Sequence, residues 1–147
     1  MLEKLPGSPG CFVCDNDGSN PRSLRLHLMW DKEKKEVHIP FAPDETWCGY
    51  SGLVHGGILA SIFDDAMAWA VRQNGGEWGV TADFHIRYRK PVTAGGKYTV
   101  KGRVEESRGR RTKTSAQIVD AEGKVLAEAD ALFIGNVGAK LREKPEG

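Results

Sequence analysis

The stretch from Cys48 to Gly76, CGYSGLVHGGILASIFDDAMAWAVRQNGG, leaves the chain few ways to fold. Between Ile58 and Val71 it holds neither proline nor glycine and is rich in alanine and larger aliphatic residues, which predicts a helix ended by Gly75 and Gly76. Isoleucine, leucine, phenylalanine, methionine and tryptophan fall on all its sides, so this helix must be wrapped by other elements. Asp64 and Asp65 interrupt the apolar run, and an ionised carboxylate taken from water without a partner costs several kcal/mol. Adjacent helix positions point about 100 degrees apart, so the two acids face different ways and only one can serve a given site. Ahead of the helix, His55, Gly56 and Gly57 predict bare backbone N–H groups at the positive end of the dipole, donors suited to a developing oxyanion.

The flanks supply the wrapping. Leu24, Leu26 and Leu28 alternate with Arg25, His27 and Met29 up to Trp30, which predicts a strand; Val37, Ile39 and Phe41 predict a second, joined to it as a hairpin through the charged turn at Asp31 to Lys35. Ala42 to Val54 crosses to the helix, with Trp47 and Tyr50 as expected packing anchors. After the helix, Val80 to Arg89 alternates as a half-buried strand. Tyr98 to Val104, Thr112 to Asp120 and Lys124 to Ile134 follow, with Gly123 in a short turn. The expected fold is therefore α+β: an antiparallel sheet of about six strands curled around one central helix. The expected division is an arm and lead-in over 1–23, the domain over 24–135 and a polar tail over 136–147. A single sheet leaves one helix flank and an edge strand open, which predicts that two chains associate.

Charge and cysteine content narrow the function classes. Lys and Arg number 21 against 20 Asp and Glu, a formal net charge of +1, so no electrostatic footprint for nucleic acid or an anionic membrane is present. The apolar stretch is too short for a membrane span and carries acids, and Met1 to Gly10 has no signal-like hydrophobic region, so the expected location is cytoplasmic. The three cysteines, an odd number, are expected to be reduced. Cys11 and Cys14 form a C-x-x-C pair without a second pair; His27, His38 and Cys48 are the nearest further ligands, and two half-buried thiols in a turn-rich lead-in is the favoured reading, with no metal assigned.

The text GLVHGGILASIFDDAMAWA from Gly52, followed by GVTADFHIRYRKP from Gly79, resembles the hotdog-fold acyl-CoA thioesterases. The likeness is closest to the phenylacetate-pathway and mitochondrial types within the 4-hydroxybenzoyl-CoA thioesterase superfamily. The lead-in CFVC with its following Asn-Pro, the SRGRR turn and a last strand ending in ALFI extend the likeness from about Cys11 to Ile134. That family places an aspartate nine positions after the histidine, which here is Asp64. The resemblance implies an acyl-CoA hydrolase without metal or organic cofactor, assembled as a homodimer or a dimer of dimers. Gly56 and Gly57 would polarise the thioester carbonyl, Asp64 would attack or activate water, Thr81 would help place that water, and His55 would orient loop or substrate. Arg89, Lys90, Arg108 and Arg110 are the candidate contacts to the phosphates of coenzyme A. Gly49 stands where some relatives carry a polar amide residue. Ser61 has no histidine on its face, which sets aside a serine triad.

Spacing adds a constraint of its own. Gly56 and Asp64 are eight positions apart, about 12 Å along a helix axis, whereas a base or nucleophile acts over about 3 to 3.5 Å. The aspartate working on a carbonyl held at one helix start is therefore expected from a neighbouring chain. The rival readings are a hydratase or dehydratase on the same fold, a non-catalytic acyl-CoA-binding module that would dispense with the helix acid, and a zinc-dependent adaptor built on Cys11 and Cys14, which would require bound metal.

Overall fold

The computed structural model describes residues 1–75 and 78–135. Gly76 and the tail expected over 136–147 lie outside the described residues. The predicted helix is α1, Gly56–Gly75, and its side chains Leu59, Ile62, Phe63, Ala66, Met67, Trp69, Ala70 and Val71 are buried. Burying each of the larger ones stabilises the fold by about 1.5–3 kcal/mol.

The sheet has seven strands where about six were expected, and every neighbouring pair is antiparallel. In chain order they are β1 (Leu2–Leu5), β2 (Leu28–Asp31), β3 (Glu36–Phe41), then after α1 β4 (Gly79–Tyr88), β5 (Tyr98–Arg108), β6 (Arg111–Asp120) and β7 (Val125–Gly135). Across the sheet the order is β1-β2-β3-β5-β6-β7-β4, so β4 is an edge strand. The helix lies chiefly against β5, with β6 and β3 beside it.

Three expectations are corrected here. Residues 2–5 are not part of a loose arm: they form β1 and pair with β2 from Leu2↔Asp31 to Leu5↔Leu28. The strand predicted from Leu24 begins only at Leu28, because Arg25 takes a left-handed φ of 56° that a strand cannot continue through. The backbone there turns to the lead-in instead, Leu24 and Leu26 donating their N–H groups to the carbonyls of Phe12 and Val13. The alternation had reported which side chains go inward, and Leu26, Leu28 and Trp30 are indeed buried. Finally, β4 is far more exposed than a half-buried strand, with Ala82 and Tyr88 both at the surface and a bulge between Thr81 and Asp83.

The crossing loop behaves as one half of the expectation. Trp47 stacks on Phe41, ring centroids 5.8 Å apart, whereas Tyr50 is 83% exposed and anchors nothing. At the closest approach of sheet and helix, a Cβ on Gly102 of β5 would stand 3.1 Å from the carbonyl carbon, oxygen and Cβ of Ala66. Backbone cannot swing away as a long side chain does, so Gly102→Val is expected to cost about 1–3 kcal/mol, read as a lower urea midpoint with an unchanged slope.

Candidate active site

The start of α1 is built around an imidazole. The His55 N–H donates to the Trp47 carbonyl at 2.9 Å, and the carbonyl of His55 accepts from Ile58 and Leu59 to begin the helix. Its ring Nδ1 accepts the Gly57 N–H at 2.8 Å, so His55 caps the helix with a side chain. An accepting Nδ1 is unprotonated, which assigns the proton of the neutral ring to Nε2. The ring fits because its neighbours are glycines: a Cβ at Gly57 would stand 3.0 Å from Nδ1, and one at Gly49 3.1 Å from Cδ2. Of the two amides expected to be bare, then, Gly57 is already engaged; among the described residues none accepts from the Gly56 N–H. Tyr88, the last residue of β4, closes the arrangement by donating its hydroxyl to the Gly56 carbonyl at 2.7 Å.

Beside this helix start lies a cleft of about 700 Å³, whose walls include Leu53, His55, Gly56, Leu59, Tyr88 and Val92. That size and apolar lining with a few polar groups suit a small-molecule site. Arg89 and Lys90 stand on its rim. Arg89 Nε donates to Glu128 Oε2 at 2.6 Å, so part of its charge is already matched. The adjacent Lys124 holds Lys90 below the ordinary lysine range, the sign of two cations crowded together. Arg108 and Arg110 are not brought here. Arg110 lines a small hollow with Val71, Asn74 and Gly75, at the far end of α1, roughly 30 Å of helix away.

Asp64 sits one face round the helix, half-buried, and its Oδ1 accepts the hydroxyl of Thr81 at 2.6 Å. Thr81 therefore touches the acid, and this pair is absent from the cleft at the helix start. Ser61 spends its hydroxyl on the Gly57 carbonyl at 3.0 Å, a back-bond within the helix that leaves no nucleophile for a triad.

Asp65 has a different setting. Its Oδ1 accepts from Cys11 Sγ at 3.4 Å, while its Oδ2 is sealed from solvent without a hydrogen-bond partner among the described residues. Burial first, and then the Cys11 sulfur, push its carboxyl up to about 8. The hydrogen bond with Cys14 holds the Cys11 thiol below the usual thiol range, and the same bond together with burial raises Cys14. Sequence reasoning chose between Asp64 and Asp65 but missed that the C-x-x-C pair is the second acid's neighbour. No local spacing could show this, since Cys11 and Asp65 are 54 residues apart.

One long helix held in a single antiparallel sheet defines a hotdog fold, the class expected. A family model described as the thioesterase superfamily matches residues 51–127, and the chain belongs to that superfamily. The acyl-coenzyme A thioesterase THEM4 of Xenopus laevis is 32% identical over 109 residues, covering 73% of this chain and 48% of the frog protein. The chain spans less than two thirds of the length of the curated relatives it matches. Among solved structures, the thioesterase superfamily protein RHA08564 aligns with a TM-score of 0.73 at 27% identity, covering 79% of this chain and 59% of that one. The protein smu.793 of Streptococcus mutans UA159, solved bound to acetyl CoA, shares the fold with a TM-score of 0.68 at 18% identity, covering 76% of this chain and 88% of that one. No helix among the described residues is long and apolar enough to cross a membrane.

Proposed function

We propose that this chain hydrolyses acyl-CoA thioesters to a free carboxylic acid and coenzyme A, in sites shared between two copies. The observation that carries the reading is the pair Asp64–Thr81, a carboxylate inside a helix with a hydroxyl bound to it, in a chain of this superfamily. An acid placed there with no basic partner among the described residues is what hydrolysis needs and a mere binding pocket does not.

The layout within one chain supports sharing. Thr81, beside Asp64, lies near the beginning of β4, and Tyr88, bonded to Gly56, is its end. They stand seven positions apart along the strand, about 23 Å. On its outer side β4 has no partner among the described strands. Two β4 edges paired antiparallel about a two-fold axis set the Thr81 end of one against the Tyr88 end of the other, so the carboxylate of one copy approaches the helix start of its mate.

In that site the thioester carbonyl docks at the helix start, where the Gly56 amide, the dipole and the Nε2 proton of His55 favour negative charge on oxygen. Asp64 either attacks the carbonyl carbon, giving a mixed anhydride that water then hydrolyses to free acid and the restored carboxylate, or takes a proton from the attacking water; in both routes the thiolate of coenzyme A leaves and is protonated. Thr81 fixes the carboxylate. Lys90, crowded by Lys124, and Arg89 at the cleft rim supply charge for the phosphates of coenzyme A. Arg108 and Arg110 enter this role only from the partner's side, being remote from the cleft of their own chain.

The test is release of free coenzyme A thiol from acyl-CoAs of graded chain length and from an aryl-acetyl-CoA. Turnover of at least one class above the uncatalysed rate supports the reading; no turnover of any by folded, assembled protein rejects it. Thr81→Val removes one hydrogen bond to a charged group, worth about 1.5–3 kcal/mol, so kcat/KM should fall roughly 10- to 100-fold while Thr81→Ser stays near the parent.

A further inference from the structure

The hydrolytic site uses Asp64 and leaves Asp65 unexplained. A buried carboxylate oxygen without a partner is costly, and among the described residues Asp65 Oδ2 has none of ordinary hydrogen-bond geometry, the Cys14 thiol being its polar neighbour. Next to it lie two sulfurs from the lead-in, and the ligand atoms of Cys11, Cys14 and Asp65 all fall within 4.8 Å of one another. Cys14 is buried and Cys11 half-buried.

We infer that Cys11, Cys14 and Asp65 form a binding site for one thiophilic divalent cation of the zinc class, which pins the lead-in segment to the central helix beside Asp64. Ligands about 2.0–2.3 Å from a shared tetrahedral ion sit roughly 3.3–3.8 Å from one another, so side-chain rotations of about an ångström close the observed spacing. Two sulfurs and a carboxylate suit zinc rather than magnesium or calcium, which take oxygen ligands. The turn is already arranged around a sulfur: the N–H groups of Val13 and Cys14 both point to Cys11 Sγ, at 3.3 and 3.4 Å, outer-shell support of the kind that steadies a metal-bound thiolate. The surrounding loop is held by its own bonds, with Asp15 accepting from the N–H groups of Asp17 and Asn20, so the pair is presented by an ordered segment. With three protein ligands, the fourth position falls to a water. The sequence alone favoured two plain thiols because it offered no second pair; the third ligand comes from the helix, far along the chain.

A disulfide between Cys11 and Cys14 would satisfy the sulfurs and leave Asp65 Oδ2 as it is, whereas an ion satisfies all three groups at once. Cobalt(II) alone serves as the probe, added to full-length protein freed of metal by a chelator and held with its thiols reduced. The expected result is about one cobalt bound per chain with thiolate-to-cobalt charge-transfer absorption in the near ultraviolet, displaced by zinc. Cys11→Ser and Asp65→Asn should each weaken cobalt affinity tenfold or more, and Cys48→Ser should leave it unchanged. Circular dichroism checks that the variants fold, and Asp65→Asn, nearly isosteric, carries the test if a cysteine variant does not. Absence of charge-transfer absorption in protein with all three thiols titratable overturns the proposal, as does cobalt affinity that survives Asp65→Asn. These readouts are independent of hydrolysis and so separate this inference from the catalytic one.

Discussion

Asp64→Asn is expected to lower kcat/KM for acyl-CoA hydrolysis by about 100- to 10 000-fold while leaving the fold intact. That is the range for removing a positioned acid or base, and the amide keeps the volume and still meets the Thr81 hydroxyl. The measurement is thiol release by Asp64→Asn alongside circular dichroism and size-exclusion chromatography; activity within a few-fold of the parent ends the assignment. Mixing supplies the sharper half of the test. Gly57→Val disables the other half-site, because a side chain there runs into the His55 ring. Co-assembled with Asp64→Asn chains, it should restore activity well above either variant alone, since half of the composite sites then carry neither change. No recovery despite proven subunit exchange would mean that each chain works alone.

Phe63→Ala should be the most destabilising single truncation among the positions described, costing about 3–5 kcal/mol. Phe63 is fully buried in α1 and is the largest of the completely enclosed side chains. The helix is enclosed by one sheet, so the void cannot fill by sliding a second helix, and collapse is limited to small shifts. Denaturant unfolding at fixed protein concentration reads the loss, because association shifts apparent stability. A loss under 1 kcal/mol would show that the core relaxes far more freely than its packing indicates. Phe63→Leu, which keeps most of the volume, should retain the larger part of the stability.

The helix was legible because its information is local: apolar composition without breakers set its body, to which the structure adds Gly56 and Gly57 at one end and Arg72 to Gly75 at the other. Strands β3, β5, β6 and β7 were legible from alternation. What alternation could not carry was position in the sheet. Phe84 and Ile86 do pack partly buried against the core, yet Ala82 and Tyr88, which the linear pattern ranks with them, are exposed, since β4 is at the edge and burial there depends on what lies alongside. β1 offers only LEKL, too short for a period, and forms because Leu28–Asp31 presents a free edge to it. The candidate site divides likewise. Spacing placed Asp64 and the glycines on one helix and implied their separation, and the structure keeps them apart. The capture of the Gly57 amide by His55 depends on a side-chain rotamer, and the meeting of Cys11 with Asp65 on tertiary packing, neither of which has a signature in a linear text.

The single hydroxyl of Tyr88 has a reach beyond its own bond. It ties the last residue of the edge strand β4 to the carbonyl of the residue whose amide opens the helix. A mate docked along that strand, as proposed above, would therefore tug on the helix end proposed to hold negative charge. In the proposed two-fold pairing, assembly and chemical competence would form one mechanical unit, and dilution that parts the copies would detune the donors as well as remove the acid.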